Sequence, residues 1–210
     1  MNDAGMNDAG TNDAWTLPPV LQGRHVRLEP LQRAHAGGIA AAAADGKLWE
    51  LWFTNVPKPE DVEAWLEGAL AKQAAGEQLG FTVRDAQGRI VGTTRYYELL
   101  PDTPRLCIGY TWYAQSVQRT GLNTEAKLLL LGHAFEALGC ASVGFHTSTH
   151  NAASRAAIAR LGATEEGILR QHVRHRDGSL RDSVCFSILD GEWPAVKAGL
   201  QQKLERHVHG

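Results

Sequence analysis

A mixed α/β fold within one domain is predicted by three features of the chain. Periodicity gives the element order β-α-α-β-β-β-α-β-α-β-β-α. Strand–helix–strand alternation is confined to the second half and hairpin turns fill the rest, which disfavours a doubly wound parallel sheet. No linker divides residues 20 to 205, and 210 residues with 43% apolar and 21% charged side chains suit a single core.

Residues 1–15 read MNDAG-MNDAG-TNDAW, whose small polar side chains cannot offset their ordering entropy, and the repeat is too short for a solenoid. A disordered leader over 1–16, anchored at Trp15, is expected, then the domain over 17–205 and a tail over 206–210. RHVRLEPL (Arg24–Leu31) alternates as a strand that Pro30 ends. An alanine-rich helix covers Ala36–Ala44, and Pro59 suits the first turn of the next helix. There Val62, Trp65, Leu66, Ala69 and Leu70 recur at i, i+3, i+4, i+7 and i+8. LGFTVRD and RIVGTTRYYEL flank the turn DAQGR. RLCIGYTWYA is a strand, with Leu106, Ile108, Tyr110 and Trp112 expected on one face and Cys107, Gly109 and Thr111 on the other. A strongly apolar helix then runs through Ala137 and stops at Gly139. SVGFHTST is a strand, and NAASRAAIARLGA a helix with Asn151 as its N-cap and Gly162 as its stop. EEGILRQHVRHRDGSLRDSVCFSIL turns back at RDGS, and EWPAVKAGLQQKL sets Trp193, Val196, Leu200 and Leu204 down one helical face.

Composition excludes several functions. A net charge of −2 gives no reason to expect a nucleic-acid or anionic-membrane partner. No apolar run approaches the ~20 residues that span a bilayer, and the N-terminus has neither the basic start nor the apolar core of a secretory signal. Cys107, Cys140 and Cys185 are odd in number and contain no CxxC, which points to reduced thiols in a cytoplasmic protein. The histidines do not read as a metal site: His172 and His175 point to opposite faces of a strand, and no carboxylate or cysteine is spaced to join them.

The stretch QRTGLNTEAK, residues 118–127, opens the apolar helix with a glycine, a threonine and an asparagine. A helix start exposes unpaired N–H groups and the positive end of the dipole, and a glycine removes the Cβ that would hold a ligand away. Two readings fit: a helix capped by Asn123 or Thr124, or a backbone cradle for a phosphate-bearing ligand. Neither GxxxxGK[ST] nor GxGxxG is present.

Three segments in this order, LCIGYTWYAQSVQRTGLNTEAKLLLLGHAFEALG, SVGFHTSTHNAASRAAIARLGA and EEGILRQHVRHRDGSLRDSVCFSILDGEWPAVK, resemble the GNAT-type N-acetyltransferases, within them the RimJ/RimL-like branch. The resemblance covers Leu17–Leu204 and is most specific from Leu106 to Trp193. It implies a V-splayed mixed sheet that holds acetyl-CoA between the family's fourth and fifth strands. Gln118-Arg119-Thr120-Gly121-Leu122-Asn123 matches the family's [Q/R]-x-x-G-x-[G/A] pyrophosphate loop, with Asn123 in the last position. An asparagine there tolerates a left-handed backbone and offers a side-chain hydrogen bond. The resemblance implies that N–H groups from Arg119 to Thr124 hold the phosphates, that Arg119 adds charge, and that backbone groups of Thr111, Trp112 and Tyr113 meet the pantetheine arm and the acetyl oxygen. It also implies that Asn151 bonds the pantetheine and Ser154 lies by the sulfur; a plain capping pair is the other reading of Asn151 and Ser154.

In the family mechanism an amine attacks the thioester directly, so the cysteines receive no nucleophilic role and are expected to be buried. Many relatives carry a tyrosine seven residues after the asparagine as the thiolate's proton donor; here the position is Ile158, which leaves Ser154 as the catalytic candidate. Relatives often place a glutamate just before IGYTW as the base; here Cys107 stands there, and Tyr96, Tyr97, Glu98 and His146 remain, unranked. The basic run LRQHVRHRDGSLR is a solvated hairpin or a wall of the acceptor site, and RYYEL lines the acceptor cleft or packs. The expected function is acetyl-CoA-dependent acetylation of a primary amine, with a peptide or protein N-terminus favoured by the resemblance. A small-molecule amine acetyltransferase and a catalytically silent CoA-binding module are the alternatives. A sheet edge near the C-terminal hairpin is available to pair two chains.

Overall fold

The structure, a computed structural model, describes residues 13–208. Most of the expected leader lies outside the described residues, but its anchor does not: Trp15 ends a short 3-10 turn and is buried in the core.

Eight strands form one open mixed sheet in the order β1-β2-β3-β4-β5-β6-β8-β7. A two-residue strand that alternation could not reveal, β1 (Leu21–Gln22), precedes β2 (Val26–Pro30). Two helices follow, α1 (Ala36–Ala44) and α2 (Val62–Ala74), the latter entered through a 3-10 turn that begins at Pro59. The antiparallel meander β3 (Gln78–Asp85), β4 (Ile90–Leu100) and β5 (Arg105–Tyr113) continues the sheet. Next come α3 (Leu122–Gly132), β6 (Ser142–Ser148), α4 (Ala152–Ala159), the hairpin β7 (Thr164–Arg174) and β8 (Leu180–Leu189), and α5 (Trp193–Val208). The final helix therefore runs three residues past the expected boundary at 205.

Local chemistry sets the ends of these elements. Asn151 is the N-cap of α4, its side chain accepting the Ser154 N–H. Gly139 and Gly162 sit at φ +66 and +100, as helix stops in the left-handed region require. The helix begun at Leu122 loosens after Gly132 into a π-turn over His133–Ala137 before it ends.

Two joints position the site. The first is the only parallel pairing among the described residues, β5 with β6, which comprises three rungs and ends at Cys107↔Gly144. Beyond that rung the strands part, and among the described residues the edge of β5 from Ile108 to Tyr113 has no strand partner on that side. The second is Glu125, in the first turn of α3, whose buried carboxylate accepts the N–H groups of Arg24, His25 and Val26 at 2.9, 2.5 and 2.9 Å. A single charged acceptor thus fastens the start of α3 to the start of β2.

Candidate active site

The unbroken alternation expected along β5 fails at one residue. Thr93 pairs with Trp112 and Arg95 with Gly109, so Tyr110 and Thr111 together oppose Thr94, and Tyr110 takes φ +52. This bulge reverses the parity of the strand. Tyr110 and Trp112 join the face of Cys107 and Gly109, toward α2, where Trp112 meets Trp65 and Tyr110 meets Tyr97. Thr111 turns to the opposite face, where its Oγ1 lies 2.7 Å from Thr94 Oγ1 and accepts from Lys127 Nζ at 3.0 Å. Trp112 and Tyr113 have buried side chains, so what they present to the opening is backbone.

The helix start is open. The N-cap of α3 is Gly121, without a side-chain cap hydrogen bond, and among the described residues no acceptor answers the N–H groups of Asn123 or Thr124. This corrects the capped-helix alternative: neither Asn123 nor Thr124 caps, and the hydroxyl that touches the first turn is that of Thr120, accepting from the Leu122 N–H at 3.3 Å. The left-handed residue of the loop is Arg119, at φ +63, whereas Asn123 lies within the helix. Gly121 itself is right-handed, so its value lies in the missing Cβ beside the open N–H groups. Gln118 ties the loop to β5, its Nε2 donating to Tyr113 O at 3.0 Å. Asn151 and Ser154 form a capping pair at 3.0 Å, both half-buried.

Lys127 is the least expected of these groups. It projects from the second turn of α3 into the interior, and burial pulls its ammonium down to about 7. A lysine amid LLLL on a buried helix was the available signal.

At the fork of the sheet three side chains from three strands converge. Glu98 on β4, itself at φ +51, accepts from the Cys107 thiol at 3.3 Å and stands 3.7 Å from His146 Nδ1 on β6. Burial lowers the basicity of His146 while the Glu98 charge raises it, the burial being larger, so the imidazole is held neutral. Burial and the adjoining carboxylate push the Cys107 thiol well above its ordinary range, which removes it as a nucleophile. Of the four base candidates, Tyr96 belongs elsewhere: it is fully buried on the α3 side, donating to Leu130 O at 2.7 Å. No cysteine or carboxylate is spaced in sequence to join a histidine, yet here Glu98, Cys107 and His146 bring ligand-type atoms within 4.8 Å of one another. All three cysteines are buried and unpaired.

On the α2 side of β4 and β5 lie two adjoining cavities, of about 330 and 560 Å³, with Lys72 and Tyr110 in both walls. The smaller reaches Tyr97 and Glu98; the larger is bounded by Trp65, Arg95 and, from the basic hairpin, Arg176. The hairpin thus contributes a cavity wall, and the RYYEL segment both packs, through Tyr96, and lines the cleft, through Tyr97.

A sheet that forks between two parallel strands, beside a helix start with unanswered N–H groups, is built to hold an extended ligand with anionic phosphates. The chain matches the family model for the acetyltransferase (GNAT) domain over residues 25–164, and it belongs to that family: it is a GNAT acetyltransferase, with acetyl-CoA as co-substrate. The uncharacterized N-acetyltransferase YoaA of Bacillus subtilis is 25% identical over 174 residues, 81% of this chain and 97% of that protein. A GCN5-related N-acetyltransferase from Brucella melitensis superposes with a TM-score of 0.80 at 32% identity, over 89% of this chain and 85% of that one. RimJ of Mycobacterium smegmatis, solved in complex with CoA-disulfide, has the same fold, with a TM-score of 0.74 at 22% identity over 90% and 96% of the two chains. In the described residues no helix is long and apolar enough to cross a membrane.

Proposed function

We propose that this N-acetyltransferase acts on a primary amine, the α-amine of a peptide or protein N-terminus, as a RimJ/RimL-like enzyme of the cytoplasm. The fold shared with RimJ supports the branch, and the buried, unpaired thiols support the compartment. One observation carries the chemical reading: the Glu98–His146 pair stands at the last paired rung of β5 and β6, where the strands begin to part.

The residues fit acetyl-CoA in two rows. The open N–H groups around Gly121, Asn123 and Thr124, with Arg119 and Thr120 in the loop before them, suit the diphosphate. The β5 edge at Thr111, Trp112 and Tyr113, unpaired with β6 and with only Tyr113 O engaged by Gln118, suits an extended amide-bearing arm. Acetyl-CoA supplies an activated acetyl group. The chain supplies the rest: Glu98 and His146 take the proton of the incoming ammonium, Gln118 fixes the loop, and Asn151 sets Ser154 toward the sulfur side. Ser154 is the sole catalytic residue assigned to that side, because Ile158 is buried in the core. A small-molecule amine remains the alternative acceptor. The β7 edge, with Ile168, Leu169 and Val173 exposed, suits pairing with a second chain.

Thiol release from acetyl-CoA, followed across N-terminal peptides, free amino acids, polyamines and aminoglycosides, tests the reading. Turnover confined to peptides supports it; turnover confined to small amines moves the enzyme to the alternative, and none on any amine leaves the silent CoA-binding module.

A further inference from the structure

Arg95 is buried to 4% exposure, yet among the described residues no carboxylate lies within 4.0 Å of its guanidinium. Its Nη1 donates to Gln78 Oε1 at 3.2 Å, and its Nε is buried with no acceptor. The rings of Trp65 and Tyr110 each lie 4.7 Å from its Cζ, so aromatic groups occupy its surroundings while a donor is left over. Burial lowers this guanidinium to about 10, the mark of a cation that has lost water and gained no anion. A buried cation held only by one amide oxygen and two ring faces is costly unless an anion pairs with it.

Arg95 also forms part of the wall of the larger cavity. Arg95 lines that space with Lys72 and Arg176, three cations against one carboxylate, Asp61, which pairs with none of them within 4.0 Å. The space continues past Lys72 and Tyr110 to two carboxylates, Glu77 and Glu98. The cleft is therefore polarised: a proton acceptor at one end and cations at the other. A polycation would meet repulsion there, whereas a molecule with an amine and an anion would match both ends.

Taking the cavities that reach Glu98 as the acceptor cleft of the proposed enzyme, we propose that the acceptor carries a carboxylate and that Arg95 receives it, with Lys72 and Arg176 adding charge. A guanidinium with aromatic rings around it and an unused donor edge suits a carboxylate better than any neutral polar group. The carboxylate has two sources: an acidic side chain near a peptide's N-terminus, or the α-carboxylate of a free amino acid.

Matched acceptors decide the matter. Peptides with Glu or Gln at the second and third positions form one arm, and free amino acids with their amides form the other. The carboxylate member of at least one arm is expected to show kcat/KM at least tenfold above its amide, and the arm that responds identifies the source. In Arg95→Met the preference collapses while the affinity for acetyl-CoA holds; Arg95→Lys, which keeps the charge but not the fork, retains part of it. Calorimetry with N-acetylated acid and amide products, in the presence of CoA, reads the same preference without turnover. Equal binding of acid and amide by the wild-type protein overturns the proposal, and so does a preference that survives in Arg95→Met. Absence of turnover with a carboxylate-dependent affinity intact would sink the enzymatic reading of the cleft and leave the anion site standing.

Discussion

The Glu98 carboxylate accepts from the Cys107 thiol at 3.3 Å, so an acid from β4 occupies the neighbourhood of a β5 position where related enzymes often carry their own glutamate. On the proposed reading, Glu98 from the neighbouring strand fills the role that Cys107 leaves open. Positioned acid–base groups contribute typically ~10²–10⁴-fold. Glu98→Gln and His146→Gln should each lower kcat by about 100-fold at pH 7, within that range, with acetyl-CoA affinity preserved. Steady-state kinetics beside calorimetry separates the two effects; unchanged kcat in both variants would remove the pair from the reaction.

Gly121 guards the open N–H row at the start of α3. Gly121→Val should raise the Kd for acetyl-CoA at least tenfold, about 1.4 kcal/mol, while a thermal melt shows the protein still folded. An unaltered Kd would mean that the diphosphate lies elsewhere.

Lys127 ties stability to pH. Burial lowers its ammonium from an ordinary 10.5 to about 7, so between those values the unfolded chain holds a proton that the folded chain does not. Stability therefore rises with pH across that window. Relative to Lys127→Met, the wild type should gain on the order of 2–3 kcal/mol between pH 7 and about 9.5. Denaturant titrations of both proteins at several pH values measure this, and parallel curves would show that the ammonium is not displaced from its ordinary range.

Glu125 is expected to matter for folding more than for turnover. Glu125→Ala strands the N–H groups of Arg24, His25 and Val26, two of them at the edge of the core. Leaving buried donors unanswered costs roughly 1–3 kcal/mol each before relaxation, so a loss of about 2–4 kcal/mol overall is expected. Chemical denaturation gives the number, and a loss below about 0.5 kcal/mol, the scale of ordinary surface substitutions, would contradict the clamp.

The parts legible in sequence were those set by local chemistry. Periodicity located α2 and β3–β5, and Asn151 announced the start of α4, because caps and alternation act over a few residues. Motif spacing located the helix start at Gly121 but mistook its workings. Asn123 looked suited to the left-handed region, and Arg119 holds it instead, because the loop's geometry is set by its anchors at Tyr113 and Val117. The bulge at Tyr110 left no trace, since a tyrosine at positive φ contradicts its own preference and is held there by the sheet and the Arg95 contact. Glu98, Cys107 and His146 are brought together from three strands, which only the register of the sheet determines.

That bulge makes β5 a bulkhead between two compartments. Tyr110 faces the cavities beside α2, and its immediate neighbour Thr111 faces Lys127 beneath α3. Losing Tyr110 would close the bulge and leave Thr111 opposite Thr94, whereas losing Thr111 would drive the Tyr110 ring through the wall against Lys127. A deletion in the bulge therefore either closes it or moves an aromatic between rooms, according to which residue is lost, whereas point substitutions change only the furniture of one.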